Sequence, residues 1–359
     1  MPGFDPGLLE PLMPLFSVGL LSRRFLALLC CAPLLAPVAA LADEVNVYSY
    51  REPDLIKPLI EDFTKTTGIK VNFIYAKDGL IERMQAEGAN SPADVLLTAE
   101  FGLLTRAKEA GVTAPNTSPE LVAAIPESLR DPEGHWFALT QRARVFYVSK
   151  ERVQETAMTY EELADPKWKG KICTRSGQHT YSVALIASMI AHHGEEKAEA
   201  WLQGVKANLA RKPAGGDREA VRDVQAGLCD VAIGNTYYMA AMLKNPEQKT
   251  WADAVRIVFP NANDRGTHVN ISGMALAANA PNKSAAEKLM AYLISPPAQK
   301  LYAASNGEYP VLPGVDASDL VKSWGELKPD SLPLAEIGRR RKQASELVDK
   351  VQFDAGPGS

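Results

Sequence analysis

The chain has 359 residues, 46% of them hydrophobic, and a formal net charge of −4 at pH 7. This length allows two lobes of ordinary size, and the mild acidity argues against nucleic acid as a partner. The net charge is compatible with a small cation or a metal ion as the ligand.

The N-terminal segment has the pattern of a secretory leader. A basic pair, Arg23-Arg24, precedes the apolar run 25–40, and the run ends in the small-residue sequence Ala40-Leu41-Ala42. These three features are typical of a signal peptide, and the run is short for a membrane-spanning helix. We therefore predict a signal peptide over residues 1–42 and a periplasmic location. A retained anchor helix is the alternative.

The rest of the chain alternates between strand and helix patterns, read from apolar residues at every second position or at helical spacing. The first predicted segments are a strand at 44–49, a helix through 55–63, a strand at 69–75, a helix at 80–87 and a strand at 94–98. Later strands are predicted at 171–174, 229–233, 255–259 and 271–277. Later helices are predicted at 181–192, 197–209, 218–226, 284–305 (with a break at Pro296-Pro297) and 334–351. This alternation predicts open α/β sheets with right-handed crossovers.

The predicted architecture is two α/β lobes with a ligand cleft between them. Open sheets bind ligands beyond the carboxyl ends of their strands. We place the two crossings between lobes near 139–145 and 268–274. The N-terminal lobe would then comprise 43–140 and 272–345, including the C-terminal helix, and the C-terminal lobe 141–271. The Gly/Pro-containing tail, 352–359, is predicted to be disordered.

Two cysteines follow the predicted leader. Cys173 and Cys229 both lie in strand-like segments that could be neighbours in one sheet. An exported protein permits disulfides, and an even pair favours one. We predict a Cys173–Cys229 disulfide, with two buried free thiols as the alternative.

Three tyrosines could form a metal site. Tyr237 and Tyr238 follow a predicted strand directly, and Tyr181 begins a predicted helix. Two adjacent side chains alternate in a regular strand, but both phenols can converge at an irregular strand end. A phenol has a pKa near 10, and a highly charged cation can deprotonate it. Three phenolates would suit ferric iron. A tyrosine pair is also typical of a core or a sugar-stacking surface.

Ordered motifs along the chain carry a family resemblance. They are Val47-Tyr48-Ser49-Tyr50-Arg51, Gly68-Ile69-Lys70-Val71, Ser91-Pro92-Ala93-Asp94-Val95, Gln141-Arg142-Ala143-Arg144-Val145, Trp168-Lys169-Gly170-Lys171-Ile172, Asn235-Thr236-Tyr237-Tyr238 and Glu308-Tyr309-Pro310. In this set and order, over nearly all of the chain after the leader, the sequence resembles periplasmic ferric-iron-binding proteins of the transferrin-like type. The resemblance implies the two-lobe periplasmic-binding-protein fold. It also implies a monomeric receptor, not an enzyme, that delivers iron to an inner-membrane ABC permease.

The resemblance also implies the iron ligands and their anion. Tyr237 and Tyr238 match the paired metal ligands, and Tyr181 matches the third ligand of the tyrosine-rich branch. That branch completes the iron shell with a small anion, commonly carbonate or bicarbonate, and Arg142 matches the arginine that contacts it. Asn235 is expected to support the same site.

Further residues are expected near the iron. Ser176 and Gly177 precede the helix that begins near Tyr181, where free backbone N–H groups favour an anion. Tyr50, Arg51 and Arg144 are expected to act on the ligands by hydrogen bonding or charge rather than to bind iron themselves.

One position departs from the family pattern. Members often carry a histidine or a His-Tyr pair shortly after the first strand, where this chain has Glu52 and Pro53. Proline cannot bind a metal, so that contribution is lost. Glu52 is either a carboxylate ligand or a solvated hinge residue.

Two other functions remain open. A receptor of the same fold could carry a polyamine or a small organic anion such as a phosphonate. An enzyme is less consistent with the sequence, which has no nucleophile elbow, P-loop or dinucleotide-binding glycine pattern. The histidines have no paired zinc-ligand spacing, and we expect His179 to stand beside the site without binding.

Overall fold

One long strand joins two sheets in the computed structural model, which describes residues 43–358. The predicted signal peptide, 1–42, lies outside the described residues. The strands are β1 (Glu44–Ser49), β2 (Lys70–Tyr75), β3 (Val95–Thr98), β4 (Thr113–Ala114), β5 (Phe137–Ser149), β6 (Ile172–Cys173), β7 (Val231–Asn235), β8 (Val255–Val258), β9 (Val269–Ala277) and β10 (Tyr309–Pro310).

Helices cover both sheets. They are α1 (Pro53–Thr67), α2 (Leu80–Glu87), α3 (Phe101–Glu109), α4 (Pro119–Ala124), α5 (Thr180–His193), α6 (Glu195–Ala207), α7 (Asp217–Gln225), α8 (Tyr237–Lys244), α9 (Lys249–Asp253), α10 (Lys283–Leu293), α11 (Pro296–Asn306), α12 (Asp319–Lys322), α13 (Leu334–Arg339) and α14 (Arg341–Lys350). Among residues 43–358, none of these helices combines the length and apolar character needed to cross a membrane.

The sheet order explains how the lobes are connected. The first sheet runs β2-β1-β3-β9-β5, with β1 parallel to both β2 and β3. β5 pairs with β9 up to Ala143, with β7 from Arg144 onward and with β8 from Phe146 onward, so its second half lies between the strands of the second sheet. The predicted two-lobe α/β fold is confirmed, while the boundaries at 140/141 and 271/272 stay a prediction.

Alternation along β5 lets the second sheet bury both of its faces. Phe146 and Val148 belong to the larger hydrophobic cluster, which also contains the first lobe's strands. Val145 and Tyr147 point to the opposite face and join the smaller cluster beneath α7 and α8. A sheet covered on both sides holds its strand ends rigidly, and those ends carry the candidate site.

The start of the first lobe follows directly from local sequence. α1 has proline in its first turn and buries Ile56, Leu59 and Phe63 along one face. Gly68 ends the helix in the left-handed conformation at φ 75°, and its N–H donates to the carbonyl of Thr64. The chain therefore turns into β2 where the sequence predicts.

The C-terminal end differs from its prediction in three ways. The helix predicted over 334–351 is broken into α13 and α14 at Arg340. α14 packs on α5, which belongs to the predicted C-terminal lobe, because its apolar face of Ala344, Leu347 and Val348 is buried there. The tail 352–359 was predicted to be disordered, and this is wrong for its described part: 353–355 form a 3₁₀ turn and Phe353 is buried.

A disulfide joins Cys173, at the end of β6, to Cys229, just before β7. β6 and β7 are parallel neighbours, and both cysteines belong to the smaller hydrophobic cluster. Their Cα atoms are 5.9 Å apart, and the bond closes a loop across 56 positions of sequence.

Removing this disulfide should weaken the second lobe. A Cys173→Ala/Cys229→Ala variant is expected to lose about 2–4 kcal/mol of unfolding free energy, because a long loop then gains freedom in the unfolded chain. Urea unfolding of the oxidised protein, the variant and the reduced protein measures the effect. Reduction and substitution should give similar losses, and unchanged stability in both would contradict the expectation.

Candidate functional site

A cavity of about 710 Å³ lies beyond the strand ends, between the two lobes. Residues that follow β1, β2 and β3 line one side of it. Residues from the loop before α5 and from the N-termini of α5, α7 and α8 line the other. The cavity wall includes Tyr50, Arg51, Glu52, Tyr75, Lys77, Arg175, His179, Tyr181, Arg218, Tyr237, Tyr238 and Lys244.

The three predicted tyrosines meet in this cavity. Tyr181 is the second residue of α5, and Tyr237 and Tyr238 begin α8 immediately after β7. The Tyr181 and Tyr237 hydroxyl oxygens are 3.4 Å apart, and the ring centres of Tyr237 and Tyr238 are 4.2 Å apart. An irregular strand end was predicted at 234–238, but the tyrosines begin a helix instead. The positive ends of α5 and α8 thus lie beside the phenols.

Burial keeps the Tyr237 and Tyr238 phenols protonated when no cation is bound. It raises the pKa of Tyr237 well above 10, and the neighbouring Tyr181 and Tyr238 raise it further. The pKa of Tyr238 is also raised, first by burial and then by repulsion from Tyr181 and Asp217. Because a proton must leave before either oxygen can act as an anion, the site ionises when a strong positive charge enters it.

A buried triad joins Glu308 to Arg51, which lines the cavity, and to Arg142, which like Glu308 is not among the lining residues. Glu308 accepts from Arg51 Nη2 at 2.5 Å and from Arg142 Nη1 at 3.4 Å, and both guanidinium groups also donate to Ser272 Oγ. Two guanidinium groups share one carboxylate, so the triad carries one excess positive charge. Nε and Nη2 of Arg142 have no hydrogen-bond partner within residues 43–358. The guanidinium carbon of Arg142 lies 5.8 Å from the Tyr181 ring centre.

A second triad joins two arginines to one aspartate, and two of its members, Arg144 and Asp217, are buried. Asp217 accepts from Arg144 Nη1 at 2.5 Å and from Arg175 Nη1 at 3.2 Å, and it also accepts from the backbone N–H of Asn235. The Arg175 guanidinium lies 5.3 Å from the Tyr181 ring centre. This triad again leaves one excess positive charge beside the phenols.

Tyr50, Asn235 and Glu52, the other residues predicted near the iron, lie in three different surroundings. The Tyr50 hydroxyl accepts from the N–H of Ile81 at the start of α2, and burial raises its pKa. Asn235 is buried, with its side-chain oxygen 3.3 Å from Arg144. Glu52 is exposed at the cavity edge. It is the one carboxylate among the described residues that line the cavity.

The prediction that Ser176 and Gly177 bind the anion disagrees with their contacts. Ser176 Oγ donates to Asp354 at 2.5 Å, and the Gly177 N–H donates to the same carboxylate at 2.7 Å. Neither residue lines the cavity. The C-terminal tail, expected to be disordered, therefore supplies the anion that this loop was predicted to take from solution.

His179 lines the cavity, and the expectation that it stands beside the iron without binding it stays a prediction. Its Nδ1 accepts from the N–H of Tyr181 at 3.2 Å and thereby caps α5. Burial, with a contribution from Arg175, lowers its pKa to about 4, so the imidazole is neutral at pH 7. In the described part of the chain, no group of three or more His, Cys, Asp or Glu side chains could hold a metal ion.

Sequence reasoning missed several residues of the cavity. Tyr75 ends β2 and Lys77 follows it, Arg175 follows β6, and Arg218 lies in the first turn of α7. A usable signal existed, because residues just beyond the ends of parallel strands are the expected ligand contacts. Asp217 lacked such a signal, since its two arginine partners are 73 and 42 positions away.

Comparisons with known proteins agree with this geometry. Residues 90–328 match the family model described as bacterial extracellular solute-binding protein. The chain is 44% identical to iron uptake protein A1 of Synechocystis sp., over 88% of this chain and 91% of that protein. It is 31% identical to the major ferric iron-binding protein of Neisseria meningitidis, over 90% and 97% of the two chains.

Solved structures show the same similarity. The Bordetella ferric binding protein aligns with a TM-score of 0.83 at 54% identity, over 87% of this chain and all of that one. A Trichodesmium protein, solved in complex with iron and citrate ligands, aligns with a TM-score of 0.84 at 46% identity, over 86% and 99%. This chain therefore belongs to the bacterial extracellular solute-binding protein family, and ferric-iron-binding proteins are among its relatives.

Proposed function

We propose that this protein is a periplasmic receptor that binds ferric iron through Tyr181, Tyr237 and Tyr238 and delivers it to an ABC importer. The observation that carries the proposal is the meeting of these three phenols in one cavity between the lobes. The similarity to iron uptake and ferric-binding proteins supports the choice of metal. The protein would act as a monomer, as a carrier rather than an enzyme, and dock to an inner-membrane permease.

The charges around the phenols support an anion as the partner of iron. Three phenolates neutralise a ferric ion, so the excess positive charge of the two triads remains. A dianion would balance it, and carbonate has that charge and is small enough to sit beside the metal. The free N–H groups of Arg142 are suited to hold it. We therefore propose carbonate, supplied as bicarbonate, as the bound anion.

Glu52 is the remaining candidate ligand. It lies on the opposite side of the cavity from the three tyrosines, so closure of the lobes could bring its carboxylate to the metal. Its exposure fits a hinge residue equally well. Iron affinity of a Glu52→Gln variant separates the two roles, because a lost ligand weakens binding and a hinge residue leaves it nearly unchanged.

The alternative cargoes fit the cavity less well. A polyamine is polycationic, yet the cavity wall carries arginines and lysines and one carboxylate. A small organic anion such as a phosphonate would match the cationic wall but would leave the three phenols without a use. Ferric iron with an anion uses both features.

A visible spectrum tests the proposed function. Ferric iron and bicarbonate are added to the metal-stripped protein, and absorbance is followed to saturation. We expect a phenolate-to-iron charge-transfer band that saturates at about one iron per chain and requires the anion. A protein that binds iron without such a band, or binds none, would contradict the proposal.

Acid should release the iron. Because the pKa values of Tyr237 and Tyr238 are raised, both phenols hold their protons at neutral pH until the metal displaces them. Metal binding therefore releases protons, and lowering the pH must favour the iron-free form. In an acid titration the band should disappear with a steepness of up to about three protons per iron. Circular dichroism checks that the fold persists, and a band that survives until unfolding would contradict the expectation.

A further inference from the structure

The C-terminal segment, Arg341–Ala355, contacts four of the five residues that lead into Tyr181. We propose that this segment holds Tyr181 in position for the metal and that Asp354 is its principal positioning residue. The inference rests on the proposed role of Tyr181 as an iron ligand. It goes beyond that role, because it assigns a task to a part of the chain that lies outside the cavity.

Asp354 makes the shortest of these contacts. Its carboxylate accepts from Ser176 Oγ at 2.5 Å and from the Gly177 N–H at 2.7 Å. The Gln178 N–H lies within 3.5 Å of the same group. Hydrogen bonds to an ionised acceptor are about twice as strong as neutral ones, and the carboxylate also faces the positive end of α5. One side chain thus fixes three consecutive residues of the loop.

Other residues of the C-terminal segment fix the same loop. The Gln178 side chain donates to the Ser345 carbonyl and to Asp349 at 2.9 and 2.8 Å, and it accepts from Ser345 Oγ at 2.6 Å. Arg341 Nη2 donates to Thr180 Oγ1 at 2.7 Å. Residues 176, 177, 178 and 180 are therefore each bound to the C-terminal segment by side-chain contacts.

The loop and the C-terminal segment also pack closely against each other at Gly177. A Cβ atom on Gly177 would lie 2.8 Å from Phe353 and 2.8 Å from Val348, so the loop backbone rests directly on these two side chains. Phe353 is buried in the hydrophobic cluster that also contains α5 residues. The tail is thus held by an apolar anchor, and this anchor presents Asp354 to the loop.

The loop 176–180 also determines where Tyr181, the proposed metal ligand, lies. His179 caps α5 through the N–H of Tyr181, and the Tyr181 hydroxyl lies 3.4 Å from that of Tyr237. Metal sites require their ligands to be held to within about 0.5 Å by surrounding contacts. If the loop loses Asp354, the first turn of α5 gains freedom and Tyr181 is no longer fixed relative to the other two phenols.

Asp354→Asn in the full mature chain tests the proposal. Glu199→Gln is the matched control, because it also neutralises one carboxylate that contacts the C-terminal segment, here the 2.6 Å contact of Glu199 with Lys350, and it leaves the loop contacts described above in place. Two quantities are compared among the three proteins. They are the amide hydrogen exchange of residues 177–181 in the iron-free protein, and the iron affinity together with the charge-transfer absorbance per bound iron.

We expect exchange in this loop to be about tenfold faster in Asp354→Asn and unchanged in Glu199→Gln. Iron affinity should fall by about tenfold in Asp354→Asn alone, with a weaker band per bound iron. Unchanged exchange would overturn the proposal, and so would faster exchange with normal affinity and absorbance. A wild-type protein that lacks the band overturns the proposed function and the metal role of Asp354 together. Exchange alone then decides whether Asp354 holds the loop.

Discussion

Tyr237→Phe should abolish the charge-transfer band or weaken it severely, and it should lower iron affinity by at least about 100-fold. The substitution keeps the ring, which packs 4.2 Å from the ring of Tyr238, and removes only the oxygen. Changing residues that merely support metal ligands costs about 10–100-fold in affinity, so losing a ligand should cost more. The iron titration followed by absorbance, with a competing chelator, measures both quantities.

Tyr292→Phe is the matched control for this loss. The Tyr292 hydroxyl donates to Asp62 at 2.6 Å and lies outside the cavity, so the variant loses one phenol oxygen with no expected effect on iron. Tyr238→Phe and Tyr181→Phe should behave like Tyr237→Phe, with the band shifted or weakened in each. If Tyr237→Phe and Tyr292→Phe bind iron equally well, the phenols are not the ligands.

The strands and helices of the first lobe could be predicted because their signals are local. β1 and α2 have the predicted bounds, 44–49 and 80–87, since alternation and helical spacing are both read within a few residues. β5 was recognised only as a crossing near 139–145. Its thirteen residues include buried arginines, and such residues interrupt the apolar pattern that identifies a strand.

The same arginines show what the strand pattern could still have revealed. Arg142 and Arg144 are two positions apart, so in a strand both side chains point to one face. The structure places both guanidinium groups within about 6 Å of the Tyr181 ring centre, as that alternation implies. Their charge partners could not be foreseen, because Glu308 and Asp217 come from distant elements.

The tail was mispredicted for a related reason. Gly356, Pro357 and Gly358 give it a composition typical of disorder, yet one aromatic residue anchors it. The contact of Asp354 with Ser176 spans 178 positions, so no local pattern indicates it. Composition describes the intrinsic preference of a segment, and tertiary contacts can override that preference.

Replacing Glu308 should destabilise the protein more than any other single change considered above. Its side chain is 1% exposed and serves both Arg51 and Arg142, and it also accepts from Thr140 Oγ1. Glu308→Gln leaves two buried guanidinium groups without a counter-charge. Removing one partner of a buried ion pair costs about 3–5 kcal/mol, since the remaining charge stays away from water. Urea unfolding of the iron-free protein measures this loss.

The control for this loss is an exposed glutamate. Glu61 is 66% exposed and lies 3.8 Å from Lys57, so Glu61→Gln should change stability by less than about 1 kcal/mol. A Glu308→Gln variant as stable as Glu61→Gln would mean that water or an anion compensates the two arginines. The expected loss of stability in Glu308→Gln would make Glu308 the residue that keeps Arg142 in place near the rings of Tyr181 and Tyr237. Glu308 offsets one of the two arginine charges and makes the burial of both guanidinium groups possible. The remaining positive charge, which is proposed to hold the anion, is therefore set by the fold before iron binds.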